Sequence, residues 1–111
     1  MIEIIIKNFL DGHLSAPSFL GSPETKPERY VLIEKTGSSK SNHLPSSTIA
    51  FQSYAETMYE AALLNEELKE VVENLTLLNE ISGVRLNSDY NFTDTATKEY
   101  RYQAVFDINH Y

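Results

Sequence analysis

The final stretch of the chain constrains the fold most. Tyr100, Tyr102, Ala104, Phe106 and Ile108 alternate with Arg101, Gln103, Asp107 and Asn109. A period of two sustained this long makes a β-strand with one apolar face and one wet face. Such a strand needs neighbours to pair with and an apolar layer over one side. The covering layer is legible upstream. Ala61, Leu64, Leu68, Val71, Leu75 and Leu78 recur at spacings of three and four, and Met58, Ala62 and Val72 widen the stripe. This predicts a helix over 57–78 broad enough to lie on a sheet. Its opposite face carries Glu60, Glu66, Glu67, Lys69, Glu70 and Glu73. Two overlapping capping boxes mark its start, Ser53-Tyr54-Ala55-Glu56 and Thr57-Met58-Tyr59-Glu60. The second leaves the preceding strand longer and is preferred.

Other elements follow from local pattern. Ile2, Ile5, Ile6, Phe9 and Leu10 fall on one face of an N-terminal helix stopped by Asp11-Gly12, although Ile4-Ile5-Ile6 would also suit a strand. Pro17, Pro23, Pro27 and Gly21 make residues 15–29 a loop with a short extended piece at Ser18-Phe19-Leu20. The β-branched and aromatic residues of Arg29-Tyr30-Val31-Leu32-Ile33-Glu34-Lys35 predict a strand buried on both faces over 30–33 and ended by Thr36-Gly37. Residues 37–42 read as a polar loop. A strand over 48–54 then puts Ile49 and Phe51 on one face. Val84, Leu86 and Tyr90 alternate with Arg85, Asn87 and Asp89, and Thr93-Asp94-Thr95-Ala96-Thr97 is turn chemistry, so the last two strands form a hairpin. Residues 1–111 therefore read as a single α+β domain. Its sheet is mostly antiparallel, with an N-terminal helix and one long helix packed on one face and a C-terminal β-hairpin. The last strand has no later element to cover it, which predicts an open edge there.

Composition excludes several function classes. The chain carries Lys+Arg 9 against Asp+Glu 16, a formal net charge of −7. An acidic surface opposes adsorption to phosphate backbones and anionic lipid, and no basic face is visible. Arg101 between Tyr100 and Tyr102 reads as strand alternation, not as a base-stacking platform. There is no cysteine, hence no disulfide or thiol chemistry, and the fold stands on packing, with or without oligomerisation. Met1-Ile2-Glu3-Ile4-Ile5-Ile6-Lys7 lacks the basic region and cleavage site of a signal peptide, and no apolar run approaches a membrane span. A cytoplasmic location is the expectation, and the sequons at Asn74 and Asn91 then carry no meaning.

No motif supplies catalytic chemistry. His13, His43 and His110 are scattered, none at metal-ligand spacing. Glu66, Glu70 and Glu73 share a solvated helix face where nothing would separate their pKa values. Gly37-Ser38-Ser39-Lys40-Ser41 resembles a phosphate loop only in its Lys-Ser ending, since Glu34 and Ser39 stand where glycines are needed. Ser41 and His43 are too close in sequence to orient as a nucleophile and base, and no Gly-x-Ser-x-Gly elbow exists. The expectation is a binding protein without catalytic residues, cofactor or metal. Seven tyrosines offer amphipathic contact area of the kind enriched at interfaces.

Three stretches, taken together, resemble a known family. They are Glu28-Arg29-Tyr30-Val31-Leu32-Ile33-Glu34-Lys35-Thr36-Gly37; Ile49-Ala50-Phe51-Gln52-Ser53-Tyr54-Ala55-Glu56-Thr57 leading into Tyr59-Glu60-Ala61-Ala62; and Val84-Arg85-Leu86-Asn87-Ser88-Asp89-Tyr90-Asn91-Phe92-Thr93-Asp94 with Arg101-Tyr102-Gln103-Ala104-Val105-Phe106-Asp107. They are similar to the small tail-terminator (tail-completion, minor tail) proteins of long-tailed phages and prophages of Gram-positive bacteria. The likeness covers nearly the whole chain and is a diffuse pattern without a catalytic signature. It implies an α+β subunit that forms a homo-oligomeric, commonly hexameric, ring. The ring caps the completed tail tube and offers the head connector or stopper a surface for head–tail joining. It further implies a place in the virion tail at the head–tail junction, and in the host cytoplasm during assembly. DNA passes through such a ring without being specifically bound.

The candidate interface residues are Ser38, Ser39, Lys40 and Ser41, with Asp94 in the hairpin turn and the terminal Tyr111. Their segments are polar and aperiodic, which suggests projection from the sheet toward another subunit or a partner. Three rival readings stand beside this one. They are a head–tail connector or stopper subunit, a small ligand-binding or enzymatic domain with a pocket between sheet and helices, and a host-directed regulator. The last is disfavoured by the lack of a basic reading element.

Overall fold

The computed structural model describes residues 2–41, 44–97 and 99–111, and only the backbone of residues 39–41 and 44. The chain runs α1 (Ile2–His13), β1 (Ser18–Phe19), β2 (Tyr30–Ser41), β3 (Leu44–Ala55), α2 (Met58–Glu73), a 3₁₀ turn (Asn74–Leu77), β4 (Ile81–Asn91) and β5 (Tyr100–His110). The strands form one five-stranded sheet in the order β1-β2-β3-β5-β4. Among the described residues only the short β1–β2 pair is parallel; the other neighbours are antiparallel. The fold class read from the sequence is the one observed.

Both helices share one apolar cluster with the sheet. Ile2, Ile6 and Leu10 of α1 and Leu64, Leu68, Val71 and Val72 of α2 pack with Val31, Ile33, Ile49, Phe51, Ala104, Phe106 and Ile108. Phe51 and Phe106 meet edge to face at its centre, 5.9 Å between centroids. Alternation along the strands sends these residues to the helix side and leaves the other face of the sheet without a helix. At the start of α2 the preferred capping box is the one used: the Thr57 hydroxyl accepts from the Glu60 backbone N–H at 3.1 Å. Asn65 was not singled out by the sequence pattern, yet it is 2% exposed within the apolar stripe. Its amide donates to Asp89 Oδ1 at 2.7 Å, tying α2 to β4.

The structure corrects five sequence expectations. Residues 37–41 are strand, not loop: β2 continues to Ser41, and Ser38 pairs with Ser47, Ser39 with Ser46, Lys40 with Pro45 and Ser41 with Leu44. A register shift between Lys35 and Gly37 carries the strand past its polar residues. Ladder hydrogen bonds need backbone only, so a serine-rich stretch can pair where neither face must be apolar. By the same pairing β3 begins at Leu44 and not at 48.

The α-helix ends at Glu73, where the Asn74 N–H reaches both Val71 and Val72 carbonyls and tightens the last turn to 3₁₀. β4 likewise begins earlier than Val84, at Ile81. Finally, β5 is interior, paired with β3 on one side and β4 on the other. The open edge at that end of the sheet is β4. Chain order suggested the last strand as the edge, but β5 inserts between its hairpin partner and β3. There Ile49, Phe51 and Ser53 meet Phe106, Ala104 and Tyr102 across the pairing.

Candidate interaction surfaces

The helix-free face of the sheet is a continuous polar and aromatic surface. Tyr54 and Arg101 are register partners across β3 and β5, as are Gln52 with Gln103 and Thr48 with Asp107. The Tyr54 hydroxyl donates to Gln52 Oε1 at 2.9 Å, and the Gln52 amide donates to Gln103 Oε1 at 2.9 Å. The Gln103 amide in turn donates to the Tyr90 hydroxyl on β4. Arg101 donates to the Tyr54 hydroxyl at 2.9 Å and to the Phe92 carbonyl at 2.7 Å, with its guanidinium 4.5 Å from the Phe92 ring centroid. The sequence placed Arg101 between two tyrosines; alternation sends both to the opposite face, and its actual aromatic neighbours are Tyr54 and Phe92.

Toward the other end of this face, Asp107 accepts from Asn87, Arg85 and Thr48. The Asn87 hydrogen bond, helped by Arg85 and Thr48, holds its carboxyl below the usual range against the opposing effect of burial. At the near end Tyr30 stacks on Tyr54. Burial, reinforced by Tyr54 and Glu99, pushes the Tyr30 phenol up to about 12. Both tyrosines line an open cleft of about 310 Å³ whose rim includes Lys26, Glu28, Glu56 and Glu99. Lys26 and Glu99 lie 3.9 Å apart across it.

The six residues singled out from sequence do not form one surface. The β2–β3 tip, with Ser38, Ser39, Lys40 and Ser41, lies at the end of the sheet where β5 finishes: Ser46 faces Asn109, and β3 continues beyond to Leu44. Tyr111 is at that same end, 74% exposed and with its N–H bonded to the Glu80 carbonyl at 3.0 Å. Asp94 is at the opposite end, roughly 30 Å away along strands of this length. Its carboxylate accepts from the Ala96 and Thr97 backbone N–H groups, which lowers its pKa, and its backbone pairs with Glu99. That carboxylate organises the β4–β5 turn. Ser38 is exposed; the side chains of Ser39, Lys40 and Ser41 and all of His43 lie outside the described residues.

Some groupings escaped sequence reasoning. Ser47 Oγ lies 3.0 Å from His110 Nε2, residues 63 apart in sequence. Ser47 is 1% exposed and His110 half-buried, so the pair closes the polar end of the core. His13 stacks on Phe9 and its Nδ1 contacts the Phe9 carbonyl, at 2.9 Å. Glu66, Glu70 and Glu73 are exposed, and Glu66 pairs with Lys69 at 2.8 Å. Among the described residues no group of three His, Asp or Glu side chains is placed to hold a metal ion, and no helix is long and apolar enough to cross a membrane.

Leu86, Tyr90 and Phe92 are exposed along and just past β4, at 42%, 42% and 39%. The outer side of β2 is paired with β1 only at Val31 and Leu32. Among the described residues both margins of the sheet are therefore open along most of their length. No protein-family model matches the sequence, and no curated protein matches it.

Proposed function

We propose that this protein is a structural subunit of phage-tail assembly, a tail terminator. Copies associate into a ring that caps the completed tail tube and presents a surface for head–tail joining. The family resemblance of the three stretches suggests the role. The observation that best supports it is the sheet left open at two unlike margins, β2 on one side and β4 on the other. Unlike edges favour head-to-tail contacts, and head-to-tail contacts close into rings when the rotation between subunits allows. The net charge of −7 suits a subunit beside a DNA path, because an acidic surface does not grip the duplex. In this reading the partners are further copies of the chain, the tail-tube protein and the head connector, and the protein sits at the head–tail junction of the virion.

Negative-stain imaging combined with mass measurement tests the reading, on the purified protein alone and with tail tubes. Rings or discrete multimers are the expected result. A chain that stays monomeric over a wide concentration range, with and without tail tubes, would overturn it.

A further inference from the structure

The outer side of β2 contains a vacant strand position. The Val31 N–H points outward and donates to the Pro17 carbonyl at 3.0 Å, and β1 pairs with Val31 and Leu32. Outward-pointing groups recur every second residue along a strand, so the backbone groups of Ile33 and Lys35 point the same way. Past Phe19 the chain leaves this track at Leu20 and Gly21, and among the described residues no strand takes its place.

A hollow lies on each side of the gap. One, about 240 Å³, is lined by Glu3, Leu20, Ile33, Glu34 and Lys35. The other, about 300 Å³, is lined by Leu20, Gly21, Ser22, Leu32, Ile33 and Glu34. The Oε1 atom of Glu3 is buried without a hydrogen-bond partner among the described residues. Outward backbone groups between two hollows, with a buried acceptor lacking a donor, suit an extended strand. Its backbone would complete the ladder while its alternate side chains enter the hollows.

We propose that this lane receives the β4 edge of a second copy of the chain, an inference that rests on the ring reading above and names its subunit contact. Successive antiparallel pairings make β4 run opposite to β2. Repeating the sheet along its own strand order thus sets β4 of one copy antiparallel to β2 of the next. Both stretches are short. β4 is unbroken from Gly83 to Leu86 between its two register shifts, and β2 is unbroken up to Lys35 before its own. The contact is consequently short, which bulges on edge strands enforce.

The side chains agree with this register. Val84 and Leu86 lie on the helix side, opposite Ile108 and Phe106, and would meet the hollow containing Leu20 and Ile33. Arg85, with its side chain 80% exposed, lies on the helix-free face, as does Glu34. Copies with a net charge of −7 repel one another at long range, and an Arg85–Glu34 approach supplies the local complement.

Cross-linking tests the lane, because the chain contains no cysteine of its own. Lys35→Cys and Val84→Cys, which the Arg85–Glu34 register sets opposite one another, are prepared separately, one with an affinity tag, then mixed and mildly oxidised, alone and with tail tubes. The expected product is a mixed disulfide dimer, dominant over dimers of either variant with itself. A second variant, Lys35→Pro, removes an outward N–H while sparing the bonds to β3. It should weaken multimerisation at least tenfold with an unchanged circular dichroism spectrum. Multimers that form without the mixed disulfide, or that survive Lys35→Pro unweakened, would overturn the lane and leave the ring reading standing. Absence of any multimer would overturn both.

Discussion

Tyr30 and Tyr54 stack across β2 and β3, their ring centroids 4.6 Å apart and their planes within 5° of parallel. Tyr30 is 4% exposed, and burial holds its phenol protonated up to about pH 12. A raised acid pKa in the folded chain means that the unfolded chain loses this proton first. The stability linked to Tyr30 is therefore complete below the ordinary value of 10.0 and is lost as pH rises toward about 12. A phenolate absorbance titration of the folded protein should show a late step near pH 12 that is missing from Tyr30→Phe.

The Tyr54 hydroxyl joins Gln52 to Arg101. Tyr54→Phe keeps the stack and leaves those two groups without their shared partner, at a cost of about 1 kcal/mol. Tyr54→Ala also removes the buried ring and should cost about 3–5 kcal/mol. Urea denaturation compares the two. Equal losses would mean that the hydroxyl, not the stack, dominates this end of the sheet.

Thr57→Ala removes the acceptor for the Glu60 N–H at the start of α2 and should lower stability by about 1 kcal/mol. Ser53→Ala probes the rejected capping box. Ser53 Oγ is buried with no hydrogen-bond partner among the described residues, so its removal should be near neutral or stabilising in the same denaturation assay.

Leu68 is fully buried between α2 and the sheet, whereas Leu63, on the same helix, is 49% exposed. Leu68→Ala should cost about 2–5 kcal/mol. Leu63→Ala should stay within about 0.5 kcal/mol. A thermal melt of each variant checks the contrast.

Asp107 accepts from Asn87, Arg85 and Thr48, and its carboxyl is held below the ordinary 3.8. A depressed acid pKa contributes stability that is present above the unfolded value and lost as pH falls through the folded one. Stability measured by denaturation from pH 6 downward should drop on passing below about 3.8. In Asp107→Asn that acid-dependent part should shrink, while stability at neutral pH falls.

The sequence revealed elements wherever side chains had to choose a face. The stripe from Ala61 to Leu75 and the alternation from Tyr100 to Ile108 both reflect burial against one core, and both are found as read. The stretch from Gly37 to Ser41 shows no strand pattern because burial does not act on it. Its serines pair through the backbone, which leaves no periodic signature in side-chain type. The candidate contact residues fared according to the same rule. Ser38, Lys40 and Tyr111 come out at one end of the sheet, and Asp94 at the other, because polarity marks exposure and carries no direction.

The sequence by itself determined the α+β class, the long helix, the hairpin from β4 to β5 and much of the apolar core, and left the first segment between helix and strand. Each follows from a period of 3.6 or 2 in apolar side chains and from local cap and turn chemistry. Only the tertiary structure decided the strand order β1-β2-β3-β5-β4, and with it the open margins. It also assembled the cross-strand set of Tyr54, Gln52, Gln103 and Tyr90 and the vacant lane beside Ile33 and Lys35. These depend on which strands become neighbours. Backbone pairing does not select its partner by residue type, so strand order is set by how the whole apolar surface closes, and no local pattern records it.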